Sequence, residues 1–216
     1  MTWAIDNIDL LATATREHLG LVVVPIALSL VVSVLVAWLV SRTPRLAAVT
    51  TVASALLYTI PSLPLFLIIP VVIGTSLRSP TNIVIALTIY GLALLVPTAI
   101  SSTRGTATPV VEVATALGYS PKQSFWLVQL PLAGPQLLAA LRVVSASTIS
   151  LATLGSVLGV AGLGRLFTDG FQRGLQEEII SGIVLTVALA LTCDVLLVLL
   201  GRAALPWTRR SAGERA

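Results

Sequence analysis

The chain has 216 residues, 56% of them hydrophobic and only 10% charged, and a mean hydropathy of +0.99. Those averages exclude a soluble globular domain and require several buried membrane spans. At roughly 20 residues per span, five or six crossings are the ceiling, with nothing sizeable left for an extramembrane domain. The net charge of +4 and pI near 10.0 would point to nucleic acid in a soluble chain. Here the arginines lie at the ends of apolar runs, so the basic balance reports topology and no nucleic-acid partner is expected. The single cysteine, Cys193, sits in an apolar run and implies no disulfide.

The opening MTWAIDNIDLL carries acids where a signal peptide needs a basic region, so no cleaved leader is expected. Residues 1–18 mix Ile5, Ile8, Leu10 and Leu11 with Asp6, Asp9, Arg16 and Glu17, which predicts an external interfacial helix lying along the surface. One all-α transmembrane domain follows over residues 19–204, with five spans at about 19–40, 46–74, 83–100, 143–160 and 179–200. A tail covers residues 205–216. The second span is interrupted by Tyr58-Thr59-Ile60-Pro61-Ser62-Leu63-Pro64. Such a break frees backbone groups at membrane depth and is tolerated only inside protein or beside a wet cavity. A plain proline kink and a pathway role both fit, and Tyr58, Thr59, Pro61 and Ser62 are the pathway candidates. The third span carries a further proline, Pro97.

Between the third and fourth spans a loop covers residues 104–131. Within it Glu112 to Pro131 is the longest polar-leaning island and reads as helix, tight turn, helix. Gly118 suits the C-terminal cap of the first helix and Pro121 the first turn of the second. Beyond it, Arg142 comes too early in the apolar run for mid-bilayer, where an arginine would cost about 2.5–3.5 kcal/mol. Residues 131–142 are therefore expected to be an interfacial approach to the fourth span. Ser145, Ser147, Thr148, Ser150 and Thr153 make one side of that span hydroxyl-bearing. Helix–helix hydrogen bonding and contact with solute both fit, and Ser147 and Ser150 join the pathway candidates. Gly159-Val160-Ala161-Gly162-Leu163-Gly164 is not a dinucleotide fingerprint, because the glycine order is wrong and no strand precedes it. Asp194 is the one carboxylate well inside a span. It lies toward the basic end, and pairing with an arginine or polar backbone near the interface is expected.

Orientation is read from Lys and Arg in the short flanks. Arg42, Arg45, Arg104, Lys122, Arg142, Arg202, Arg209, Arg210 and Arg215 fall on one side, and Arg16, Arg78, Arg165 and Arg173 on the other. The richer side is read as cytoplasmic, with the N-terminus outside and the Glu112–Pro131 loop and C-terminus inside. Enzymatic chemistry is not expected. His18 is the only histidine and reads as a solvated residue at a span mouth, Lys122 follows a proline rather than a glycine loop, and no Cys/His cluster suits a metal.

The order Glu112, Ala114, Gly118, Val128, Leu130, Pro131 resembles the EAA loop of permease subunits of ABC importers, with Val113 for the first alanine, Val128 for isoleucine, and the spacing intact. Over about His18 to Arg202 the chain is similar to the osmoprotectant branch of those permeases, carried by Tyr58–Pro64, Leu130-Pro131-Leu132-Ala133 with Leu141-Arg142, and Gly159–Gly164. The methionine-importer permeases share the five-span plan. The resemblance implies a type I importer fold and import of glycine betaine, choline, carnitine or proline betaine across a bacterial cytoplasmic membrane. It implies a second permease subunit, identical or paralogous, two ATPase subunits that bind ATP and Mg2+, and an extracytoplasmic solute-binding protein, with no cofactor in this chain itself. Glu112, Ala114, Gly118, Tyr119, Ser120, Pro121, Leu130 and Pro131 would form the ATPase-coupling loop. No aromatic cage for a quaternary ammonium is visible, so selection would reside in the binding protein. An ion-coupled secondary transporter would need titratable groups near the midplane, where Asp194 is the one candidate. A membrane scaffold would leave the spaced Glu-Ala-Gly-Leu-Pro pattern without a reason.

Overall fold

The computed structural model describes residues 2–105 and 108–209. Expectations for Met1, for residues 106–107 of the loop and for residues 210–216, Arg210 and Arg215 among them, lie outside the described residues. Among the described residues every regular element is helical. In order these are α1 (Thr2–Asp6), α2 (Ile8–Val40), α3 (Pro44–Tyr58), α4 (Ser62–Ile73), α5 (Pro80–Arg104), α6 (Thr108–Ala116) and α7 (Pro121–Ser124). A π-helical turn (Phe125–Gln129), α8 (Leu130–Ala152), a 3-10 segment (Thr153–Leu158), α9 (Gly164–Arg173), α10 (Gln176–Ala204) and a closing 3-10 turn (Pro206–Arg209) complete the chain.

Helix α5 is the axis. It packs against α2, α3, α4 and α8 and exposes none of the large apolar side chains that cover the others. A helix apolar on every side is one that protein surrounds. Around it the core divides by level. Leu21, Phe66, Ile83, Leu87, Ile149 and Leu163 gather toward one end, and Ala37, Ala47, Ala99, Phe125 and Leu137 toward the other. Leu95, Leu141 and Val144 form a smaller cluster that Leu197 of α10 joins. Buried Asn82 fixes the entry to α5, donating from Nδ2 to the Ser76 carbonyl at 2.8 Å and accepting from Thr75 Oγ1 at 2.5 Å.

Among the described residues four helical stretches are long and apolar enough to cross a membrane: Ile8–Val40, Pro80–Arg104, Pro121–Leu158 and Gln176–Ala204. Helices α3 and α4 make a fifth candidate, a broken one, bent by 104°. The break falls where the sequence puts it. Pro61 disfavours helix at Ile60 before it, and Pro61 itself has φ −63°, ψ 141°.

Several boundaries differ from the sequence reading. No separate interfacial helix ends at residue 18, because α2 runs unbroken from Ile8 to Val40, about 50 Å of helix. His18 is not solvated. It is fully buried, and its Nε2 meets the Ile149 carbonyl at 3.1 Å. That carbonyl is available because the turn tightens here: the Thr153 N–H bonds the Leu151 and Ser150 carbonyls rather than the one four residues back. Nor are residues 131–142 a distinct approach, since α8 is continuous from Leu130 to Ala152. Arg142 therefore lies about 18 Å along α8 rather than at an end. The glycine-rich exit is close-packed: a Cβ on Gly164 would come within 1.9 Å of the Thr153 carbonyl oxygen.

Candidate functional site

The polar island folds as its local signals dictate. Helix α6 ends in a Schellman motif, the Tyr119 N–H bonding the Ala114 carbonyl at 3.0 Å and the Gly118 N–H that of Thr115 at 2.9 Å. Gly118 takes the left-handed conformation this closure demands, φ +85°. Ser120 then caps α7 reciprocally. Its Oγ accepts from the Gln123 N–H at 3.3 Å, and its own N–H donates to Gln123 Oε1 at 2.9 Å. Pro121 stands at the first helical position, where a missing N–H costs nothing.

Helix α7 does not lead into a second loop. The Leu130 N–H reaches back five residues to the Phe125 carbonyl, and the helix passes through Pro131 without interruption. A wider π turn beside a proline, which cannot donate, keeps the surrounding hydrogen bonds intact. Phe125 pins this turn to the bundle. It is buried among Ala37, Val40, Val96 and Leu137 and meets the Trp126 ring edge-on at 5.4 Å; Trp126 lies 6.3 Å from Trp38. Ala114 is buried, whereas Glu112, Gly118, Ser120 and Pro121 are exposed. Val113, Leu117 and Tyr119 expose apolar surface beside them. Leu130 and Pro131 are half-buried at the start of α8. The turn is thus a rigid, partly apolar projection whose far side is anchored in the core.

The pathway candidates form two groups. Tyr58 is exposed and packs edge-on against Tyr90 at 6.0 Å, and the Tyr90 hydroxyl donates to the freed Ile60 carbonyl. Thr59 turns its hydroxyl back to the Leu56 carbonyl at 2.7 Å, Pro61 is exposed, and Ser62 opens α4 half-buried. Ser147 is half-buried and Ser150 exposed on α8, while Ser145 and Thr148 face inward. Both groups pack on α5, but α3 and α4 make no more than marginal contact with α8, so one chain does not join them.

Asp194 has the partner expected for it, although not near a helix end. Arg142 grips it with two hydrogen bonds, Nε to Oδ1 at 2.6 Å and Nη2 to Oδ2 at 2.8 Å. Sequence reasoning missed the buried His18 contact, the Ser120–Gln123 capping box and the Phe125 anchor. Only the Ser-x-x-Gln spacing of the box was there to be read.

Helices of this length and hydropathy define the class of polytopic membrane proteins. The chain belongs to the family of binding-protein-dependent transport system inner membrane components, whose model matches residues 29–210. Among curated relatives, the osmoprotectant import permease protein OsmW of Salmonella typhimurium is 29% identical over 198 residues, 90% of this chain and 92% of that one. The choline transport system permease protein OpuBB of Bacillus subtilis is 27% identical, covering 89% and 87%. The ergothioneine transport permease/ergothioneine binding protein EgtU of Helicobacter pylori is 32% identical over 138 residues, 64% of this chain; the match spans about a quarter (24%) of that longer protein. The solved MetNI methionine ABC transporter in an inward-facing conformation has the same fold, with a TM-score of 0.76 at 22% identity over 91% of this chain and 97% of the matched one. The fold is therefore the type I importer fold that the family resemblance implied.

Proposed function

We propose that this chain is the permease subunit of an ATP-driven importer for quaternary ammonium osmoprotectants such as glycine betaine, choline, carnitine and proline betaine. Two permease subunits, identical or paralogous, enclose the pathway. Two ATPase subunits, which bind ATP and Mg2+, dock on the Glu112–Pro131 turn, and a solute-binding protein delivers solute from outside. The N-terminus faces outside and the C-terminus the cytoplasm. Without Arg142, which lies within a helix, the Lys and Arg tally of the flanks still favours the side bearing the turn. One observation carries the reading: a doubly capped, exposed turn, held by buried Phe125, is continuous with a membrane helix. ATP favours one arrangement of the subunits over another, and a turn with no flexible joint behind it passes that preference to the bundle.

The solute assignment is supported by the relatives, whose names include choline, glycine betaine, carnitine and ergothioneine. Those compounds share a trimethylammonium group. The test is purification of the tagged chain in mild detergent with mass spectrometry of bound proteins, followed by uptake of radiolabelled glycine betaine, choline and methionine. Co-purification of an ATPase and ATP-dependent uptake of the first two solutes are expected. Uptake that persists without ATP and collapses with an ion gradient would overturn the importer reading, and uptake of methionine alone the solute class.

A further inference from the structure

The Arg142–Asp194 pair sits where a lipid-facing ion pair does not belong. Arg142 lies about 18 Å from Leu130 along α8, and Asp194 about 15 Å from Ala204 along α10, so both are well inside long apolar helices. The pair is nevertheless half open, with side-chain exposures of 43% and 35%. Hydrocarbon solvates neither charge, and intramembrane ionisable residues face water-filled cavities or partners.

The surrounding surface agrees. Along α10 nine large aliphatic side chains stand exposed, Leu191, Val195 and Leu196 among them, whereas α8 exposes only Leu132 and Val143. Those two share one side of the helix with the other open positions, Pro135, Gln136, Ala139, Arg142, Ala146 and Ser150, so that side is mostly small and polar but not free of aliphatic groups. Small and polar groups suit water or a close-packed neighbour. Long aliphatic groups suit lipid.

We propose that the open side of α8 lines the water-filled pathway, and that the Arg142–Asp194 pair is a charge station meeting both ends of a zwitterionic solute. The guanidinium faces the solute carboxylate and the Asp194 carboxylate its quaternary ammonium, so the pair discriminates a betaine from a cation that lacks the carboxylate. This rests on the importer reading above.

The test uses the complete importer and compares uptake of glycine betaine, which carries both charges, with choline, which carries one. Arg142→Gln should lower glycine betaine uptake about tenfold while choline falls less than threefold, the scale of one lost hydrogen bond to a charged group. The doubly neutral Arg142→Gln/Asp194→Asn variant leaves no unpaired charge and should keep the selective loss at normal membrane abundance. An unchanged betaine-to-choline ratio in that variant overturns the proposal, since a purely structural tie would not alter selectivity. Should the neutral variant fail to accumulate, Ala146→Cys in a Cys193→Ser background decides. Modification by a membrane-impermeant thiol reagent is expected, and its absence in an active importer overturns the proposal. A parent importer that takes up neither solute removes the osmoprotectant assignment, whereas the labelling still reports whether this side of α8 meets water.

Discussion

Replacing Gly118 tests the coupling role proposed for the turn with little else disturbed. Its φ of +85° places it in the left-handed region, which costs an L-residue roughly 1–2 kcal/mol. A Cβ added there meets nothing within 4 Å, so the whole penalty is backbone strain rather than a clash. Gly118→Ala should therefore reduce the population of the Schellman turn by about 5- to 30-fold relative to competing geometries. Gly118→Val should reduce it further, because a β-branched residue is a genuine outlier at positive φ. Gly118→Asn should reduce it least, since asparagine visits this region. Gly118→Asp, which also visits it, separates added charge from altered geometry. Each variant would be purified as the assembled complex and its ATP hydrolysis measured beside solute uptake and membrane abundance. Abundance should stay near that of the parent, because the turn lies outside the core clusters. Uptake per ATP hydrolysed should fall in the order Gly, Asn, Ala, Val. Normal coupled uptake in the valine variant would show that the left-handed turn transmits nothing. An asparagine variant worse than valine would show that the partner senses side-chain chemistry, not the backbone.

Other positions give sharper stability tests. Gly164→Ala forces a Cβ against the Thr153 carbonyl, backbone that cannot swing aside; about 1–3 kcal/mol should be lost, seen as earlier thermal aggregation of the detergent-purified chain. Phe125→Ala empties the anchor behind the Glu112–Pro131 turn and should cost about 3–5 kcal/mol, with ATPase retention in detergent falling in parallel. His18→Ala strips the Ile149 carbonyl of its partner, and a loss near 2 kcal/mol should lower the melting temperature by about 4–8 °C, with His18→Gln recovering part of it. Ser120→Ala removes one half of the capping box, about 1 kcal/mol of local stability, and should weaken coupling without changing membrane abundance.

The turn was legible because its determinants are local. Gly118 and Pro121 each act within a few residues, and their geometry is set by sequence spacing alone. The break at Pro61 was legible for the same reason. Helix ends at the polar margins were not. Residues 8–18 are polar enough to lie outside hydrocarbon, but polarity sets depth and not helicity, and nothing between Arg16 and Gly20 stops a helix. Arg142 misled for a related reason. The insertion cost assumed for it belongs to an isolated arginine, while its partner stands 52 residues away on α10. A distant carboxylate leaves no mark in the arginine's own neighbourhood.

His18 shows the same limit from the other side. Its partner, 131 residues away, exists only because the C-terminal turn of α8 tightens and releases the Ile149 carbonyl. That contact sits at one end of a continuous helical run whose other end is the Glu112–Pro131 turn. From Pro121 to Ala152 the chain covers about 48 Å, with a π turn but no loop. Phe125 ties that run to α2, α3 and α5 near its start, and Ile149 ties it to α2 and α5 near its end. Displacement of the turn therefore has no flexible joint in which to dissipate. It must either be resisted by both anchors or carry α2 and α5 with α8. The ATPase docking proposed above requires the second outcome, and this connectivity favours it.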